Sequence, residues 1–161
     1  MKNFLWGLVL VLLATFLSGC SGDPVKEDLE AYLKVDKIVG AKYNPTIMRQ
    51  FEDRISNAET DEEVIPILEE VVEAITDARN QFATLKPKSE EMKIFVGGMV
   101  EGMDEVIAAH NELIQVYRSG DSDQFDSAEV EADAKIERTI QKMQNIEKSI
   151  SQLAKEKRVT I

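Results

Sequence analysis

The stretch MKIFVGGMVEGMDEVIAAHNELIQVY, Met92 to Tyr117, decides the fold because its apolar residues recur with the period of an α-helix. At 100° per residue they fall within about 60° of a single line along one side of a helix. The pattern predicts a long amphipathic helix that begins near Ser89 and ends at Gly120, a residue suited to the left-handed conformation beyond a helix end. The members of this apolar stripe are Met92, Phe95, Val96, Met99, Met103, Val106, Ile107, His110, Leu113, Ile114 and Tyr117.

The segment before this helix contains a pattern for one helix that is broken in the middle. Asp23 is a favourable N-cap, and Pro24 suits the first helical position because its missing N–H has no intrahelical partner there. The first helix therefore starts at Pro24 and continues to about residue 41. Asn44 and Pro45 predict a break and a restart, since the residue before a proline avoids the α region. A second segment then extends to about residue 57.

Two further periodic segments complete the chain. Thr60 and Glu63 have the spacing of a capping box and predict a helix up to about Leu85. The last helical pattern runs from about Asp123 to Arg158, and no segment alternates with the period of a β-strand. Short connections between long helices favour antiparallel neighbours. We expect an all-α fold, an elongated up-down-up-down four-helix bundle with a broken or kinked first helix, as a single domain over residues 23–161.

Composition argues against several classes of function. The chain has 30 Asp and Glu against 19 Lys and Arg, and its net charge of −11 disfavours nucleic acid as a partner. His110 is the only histidine and Cys20 the only cysteine, so the usual Ser–His–Asp and Cys–His sites lack components. We expect no enzymatic activity. A hydrolase that uses paired carboxylates is the remaining enzymatic alternative.

The start of the chain has the layout of a secretory signal peptide. Lys2 precedes an apolar run from Phe4 to Phe16, which is 13 residues long, whereas a membrane-spanning helix needs roughly 20. The sequence LSGC, Leu17 to Cys20, comes next and resembles the lipobox of bacterial lipoproteins. That resemblance implies cleavage after residue 19 and a covalent diacylglycerol on Cys20. It also implies a membrane anchor that holds the protein on the extracytoplasmic face.

The lipobox resemblance also bears on the residues after the cysteine. Residues 20–22 would be the lipidated cysteine and a short tether, and Ser21 after the cysteine would permit sorting to an outer membrane in a two-membrane bacterium. The chain from Cys20 onward carries 18 basic and 30 acidic residues, a net charge of −12 that disfavours contact of the domain as a whole with anionic lipid headgroups. Residues 28–33, DLEAYL, are similar to small uncharacterised helical lipoproteins of Gram-positive bacteria, a resemblance that implies no activity.

Glycines inside the long helix mark a candidate binding groove. Gly98, Gly102 and Ala109 form a stripe of small residues beside the apolar face, and each glycine costs the helix about 1 kcal/mol relative to alanine. Close approach of a neighbouring helix is the simpler explanation of such a stripe. The functional alternative is a shallow groove for a ligand or a partner helix.

Two metal sites are further candidates. Met99, Met103 and His110 lie on one helical face, and thioether and imidazole ligands would suit Cu(I). The same positions belong to the predicted core stripe, where methionine is a common filler. Residues 121–131 are rich in carboxylates and are a candidate site for weak Ca²⁺ binding, although they depart from the EF-hand pattern at Phe125 and Asp126. Acids in the first turn of a helix explain that cluster without a metal.

These observations give one leading functional expectation. It is a membrane-anchored, non-enzymatic binding or scaffolding module that presents helix faces near the membrane surface to an envelope protein or ligand. The alternative is a carrier of a small ligand or of a metal, Cu(I) or weakly bound Ca²⁺. Apart from the diacylglycerol on Cys20, no cofactor is expected.

Overall fold

The computed structural model describes residues 22–120 and 122–160, with the backbone alone for residues 122–126. The described residues form five helices and no strand, which confirms the all-α class. None of these helices combines the length and the apolar composition needed to cross a membrane. The helices are α1 (Pro24–Lys42), α2 (Pro45–Asn57), α3 (Asp61–Ala83), α4 (Glu90–Ser119) and α5 (Ser122–Glu156).

Local capping sets several helix ends where the sequence predicts them. The carboxylate of Asp23 accepts a hydrogen bond from the N–H of Val25 at 3.1 Å at the start of α1. The side chain of Asn44 caps α2, so the predicted broken helix consists of two separate helices. Gly120 ends α4 with a φ of 64°, a left-handed conformation that glycine adopts without steric cost.

The predicted capping box at the start of α3 differs in its detail. Thr60 is the N-cap residue, but its side chain makes no capping hydrogen bond. The carboxylate of Glu63 instead accepts a hydrogen bond from the N–H of Glu59 at 2.9 Å, one residue before the N-cap. The acids in the first turn of α3 still complement the positive end of the helix dipole.

The larger core lies where α1 packs against α3, α4 and α5. Tyr32 of α1 and Phe82 of α3 are almost completely buried there, and their ring centroids are 5.2 Å apart. Burial of such large side chains is the main stabilising term for a helical bundle. The buried members of the larger core are Leu29, Tyr32, Ala78, Phe82, Met92, Val96, Met99, Met103, Ile150, Leu153 and Ala154.

The smaller core lies toward the other end of α3 and α4. Its five buried members are Val64, Leu68, Leu113, Ile114 and Ala132. Among the described helices α2 contacts α3 alone, and none of its residues is buried. Ile55 at the end of α2 packs against this core while partly exposed. The helix α2 therefore adds little buried surface to the fold.

The helix α4 occupies a central position, with contacts to α1, α3 and α5. Because several helices surround α4, its buried arc is wider than the apolar stripe in its sequence. Gly102 and Ala109 are buried, whereas Ile107 and His110 are half-buried. In α5 the polar residue Thr139 is buried, and its hydroxyl lies 2.7 Å from a carboxylate oxygen of Glu105.

A buried carboxylate joins α1 to the start of α4. Asp28 is 9% exposed, and one of its carboxylate oxygens accepts hydrogen bonds from the N–H groups of Lys88 and Ser89 at 2.8 and 2.7 Å. The hydroxyl of Ser89 donates to the same oxygen at 2.7 Å. Burial alone raises the pKa of Asp28, but the hydrogen bonds outweigh it and the net shift is downward.

Candidate functional site

The glycines of α4 that the sequence indicates as a groove face α5. A Cβ atom added at Gly98 would lie 2.7 Å from the Cδ1 of Ile146, and one added at Gly102 would lie 2.6 Å from the Cγ of Met143. Ala109, the third member of that stripe, has no exposed surface. The side chains of α5 therefore cover Gly98 and Gly102, as close helix packing requires.

An open groove lies beside Gly97, one residue earlier in α4. A Cβ atom added at Gly97 would meet nothing within 4 Å. The groove has a volume of about 700 Å³ and runs along the outer side of α4 from the connection after α3. Its floor and walls are mainly apolar, with Ala83, Leu85, Pro87, Val96, Gly97, Val100 and Ala108. Small residues at the floor leave room for an apolar side chain from outside.

The rim of this groove carries both signs of charge. Asp104 pairs with Arg79 of α3 at 2.9 Å. Glu105 lies within 2.7 Å of the Thr139 hydroxyl, a hydrogen bond that lowers the pKa of Glu105 together with the ammonium of Lys142. The two lysines at the rim, Lys93 and Lys135, each pair with a glutamate of the same chain.

One rim carboxylate is available to a partner. Glu101 is exposed, and its carboxylate makes no ion pair or hydrogen bond among the described residues. Lys93 and Lys135, the two cations at the rim, are engaged by Glu90 and Glu112. The groove thus offers an apolar surface with one unpaired negative charge on its edge.

The candidate copper ligands occupy different environments. Met99 and Met103 belong to the larger core, where they are buried among α1, α3 and α5 side chains. His110 is half-buried, and its Nδ1 lies 2.9 Å from the carbonyl oxygen of Val106 on the same helix. The described residues bring together no group of three or more His, Cys, Asp or Glu side chains suited to a metal ion.

Several predicted sites lie outside the described residues. The signal segment, residues 1–19, and the lipidation site Cys20 are among them. So are Asp121 and the side chains of Asp123 and Asp126, which belong to the predicted calcium-binding stretch. Asp23, the first capping residue of α1, comes three positions after Cys20.

A second hollow lies between α1 and the residues after α5. It has a volume of about 800 Å³ and is lined by Glu30, Leu33, Lys34, Asp36, Lys37, Arg158, Val159 and Thr160. Asp36 is half-buried, and burial raises the pKa of its carboxyl. Burial and the nearby Asp36 also raise the pKa of Glu147 on α5. The hydroxyl of Tyr32 is buried without a hydrogen-bond partner among the described residues.

Four residues outside the apolar stripe of α4 form a sequence pattern for the side that carries the open groove. Gly97, Glu101, Asp104 and Ala108 recur at helical spacing and form the outer side of α4. Small and charged residues in that order are typical of any solvated helix face. Distinguishing the open side from the side that receives α5 requires knowledge of where α5 packs.

No protein family, curated protein or solved structure matches this chain.

Proposed function

We propose that this chain is a lipid-anchored, non-enzymatic binding module whose open groove beside Gly97 holds an apolar segment of another envelope protein. The observation that carries the proposal is the groove itself, which combines an apolar floor with a glycine that has free space above it. Grooves of this kind accept the apolar face of a helix or an extended peptide. The LSGC sequence supports the membrane location, with cleavage after residue 19 and a diacylglycerol on Cys20.

Charge narrows the chemistry of the partner. The chain is strongly acidic, and Glu101 at the groove edge has no partner among the described residues. A segment that places an apolar side chain over Gly97 and a lysine or arginine beside Glu101 would match both features. Complementary charges at a rim favour the correct partner and register more than they raise affinity.

The proposal includes a finer description of the fold. We describe α1 and α2 together as the first member of an elongated up-down-up-down bundle, with α3, α4 and α5 as the other members. Between α3 and α4, Arg79 pairs with Asp104 and Glu69 pairs with Arg118, so residue numbers rise on one helix as they fall on the other. Between α4 and α5 the pairs Glu105–Lys142 and Glu112–Lys135 have the same opposite order, and both sets of pairs support antiparallel neighbours. Helices of this length extend for about 35–50 Å, so one side of α4 offers a long surface to a partner.

Site-specific photocrosslinking in cells of the source bacterium tests the function. A photoreactive residue at Gly97 should crosslink to one discrete envelope protein, and the Glu101→Lys variant should lose that product. The matched control is a photoreactive residue at Gly40, which is also a helical glycine with nothing within 4 Å of an added Cβ. The partner segment, made as a peptide, should bind the purified chain and fail to bind the Gly97→Leu variant.

The chosen substitutions separate loss of binding from loss of folding. Replacing Gly97 removes a helix-destabilising residue at an open position, so the variant should be at least as stable as the parent chain. Identical crosslinking patterns from positions 97 and 40, or unchanged peptide binding by Gly97→Leu, would refute the groove as the binding site.

A further inference from the structure

Charge is divided unevenly along α5. Between residues 121 and 137 the sequence has seven acids and one base, whereas between residues 138 and 158 it has six bases and two acids. The basic part includes the end of α5 that packs beside the start of α1, where Lys157 pairs with Asp23 at 2.7 Å. The cations of α5 therefore gather at the end of the bundle that adjoins Cys20 in sequence.

Three exposed cations near this end have no partner within the described chain. Lys34, Lys37 and Arg158 line the hollow between α1 and the residues after α5. The side chain of none of them makes an ion pair or a hydrogen bond with another described residue. Elsewhere in α1, by comparison, Lys42 pairs with Asp77 at 2.9 Å. Unpaired cations around one hollow form a surface suited to anionic groups.

An exposed apolar side chain lies among these cations. Ile38 is 57% exposed, and it comes one helical turn after Lys34 and one residue after Lys37. Helices that lie in the headgroup region of a bilayer combine lysines or arginines with apolar side chains, and this part of α1 offers both on a small scale. We call the surface of Lys34, Lys37, Ile38 and Arg158 the α1–α5 face.

We propose that the α1–α5 face lies on an anionic lipid bilayer, so that the bundle rests on its side beside its anchor. This inference rests on the proposed function in one respect, the lipid on Cys20. Asp23 comes three positions after Cys20, a reach of about 10 Å, and Lys34 lies about 17 Å further along α1. The anchor therefore holds this face within reach of the headgroups.

The acids on the same surface limit its attraction to lipid. Glu30 and Asp36 line the hollow together with the three cations. Each lysine or arginine near an anionic membrane raises the binding constant about fivefold. The α1–α5 face alone is thus a weak ligand for lipid, and it requires the anchor to make contact persistent.

The orientation has a consequence for the groove beside Gly97. Met92 and Met99 of α4 belong to the core that contains Leu29 and Tyr32 of α1. On a helix with 100° per residue, both methionines point about 140–160° away from Gly97. A bundle that rests on its α1–α5 face therefore directs the groove away from the bilayer, toward proteins of the envelope.

A single tryptophan reports the contact directly. Trp6 is the only tryptophan, so the chain from Cys20 onward has none, while both described cores are formed by residues within 22–160. The variant Ile38→Trp, made from Cys20 onward, is coupled through its only cysteine to a maleimide lipid. The vesicles contain phosphatidylcholine alone or phosphatidylcholine with phosphatidylglycerol, at about 0.1 M salt, where the screening length is near 10 Å.

On the anionic vesicles the emission of Ile38→Trp should shift to shorter wavelength and be quenched by brominated lipid. Two position controls, Ile94→Trp and Val130→Trp, replace residues that are 71% and 69% exposed and should show neither effect. Adding Lys34→Glu and Lys37→Glu should abolish the shift. Adding Arg49→Glu and Arg138→Glu instead makes the same charge change away from the α1–α5 face and should preserve it.

The coupling chemistry separates this inference from the proposed lipidation. The maleimide lipid supplies the anchor whether or not cells modify Cys20. A separate experiment tests the modification itself: cells are labelled with a lipid precursor, and the Cys20→Ala variant serves as the control. Equal exposure of Trp at positions 38 and 130, an equal shift on uncharged vesicles, or an equal loss in the Arg49 and Arg138 control would each overturn the proposal.

Discussion

The two ends of this bundle are held together very differently. At the larger core, α1 packs against three helices, buries Tyr32 and Leu29, and fixes the start of α4 through Asp28. At the smaller core, α2 contacts α3 alone among the described helices and buries none of its residues. The comparison shows that two consecutive helices with good caps can differ widely in how much of their surface they bury against the rest of the fold. Packing, more than capping, decides their contribution.

The largest expected effect comes from one phenylalanine at each end. Phe82→Ala removes a side chain that is 1% exposed from the larger core, and it should lower the free energy of unfolding by about 3–5 kcal/mol. Phe51→Ala removes a half-buried ring from α2, and it should cost about 1 kcal/mol or less. Urea denaturation monitored by circular dichroism measures both. Equal losses would show that α2 is packed as tightly as the larger core.

The buried carboxylate of Asp28 gives the next largest effect. Asp28→Ala leaves three donors around residues 88 and 89 without their acceptor, and it should cost about 2–3 kcal/mol at pH 7. Because the pKa of Asp28 is lowered in the folded state from 3.8, its contribution is present above that value. The contribution is lost as the pH falls through the lower, folded value. Urea denaturation between pH 2 and 7 measures this loss, with Asp53→Ala on α2 as the exposed control.

Asp36, which also lies in α1, should affect stability in the opposite direction to Asp28. Its pKa is raised by burial, so the folded state disfavours the ionised form at neutral pH. Asp36→Asn should therefore stabilise the chain at pH 7, and the gain should vanish below the unfolded value of 3.8. A loss of stability in Asp36→Asn at pH 7, or a gain that persists at low pH, would contradict this assignment.

The smallest effects distinguish the two sides of α4. Gly97→Ala should raise the free energy of unfolding by up to about 1 kcal/mol, because alanine favours the helix and the position is open. Gly102→Ala should lower it by about 1 kcal/mol or more, because its new methyl group would lie 2.6 Å from Met143 and overpacking outweighs the helical gain. Thermal denaturation of the two variants measures the difference. A stabilising Gly102→Ala would mean that Met143 can move aside.

Predictions that depend on neighbours in sequence succeeded more often than those that depend on distant partners. The starts of α1 and α2 are predictable from Asp23 and Asn44, since an N-cap bonds to backbone N–H groups two or three residues away. The end of α4 is likewise predictable from a single nearby residue, Gly120. The bond between Asp28 and Ser89 spans 61 residues, and no local pattern announces it.

The position of the groove could be predicted only in part. Three glycines within a helix indicate close approach or open space, and both situations occur in α4, at Gly102 and at Gly97. Which glycine takes which role depends on the rotation of α4 relative to α5. A difference of one residue rotates a side chain by 100° around the helix, so the periodicity alone cannot fix it.

The ion pair between Asp23 and Lys157 brings the beginning of α1 beside the end of α5. Because these two ends lie close together, the chain could be joined there and opened at another connection without moving the helices. A short glycine-rich linker from the end of α5 to the start of α1 would join the two, and the connection between α2 and α3, exposed at Glu59 and Thr60, could then carry the new termini. A circular permutant of this kind would keep the helices of both cores in their places while moving its N-terminus to the other end of the bundle.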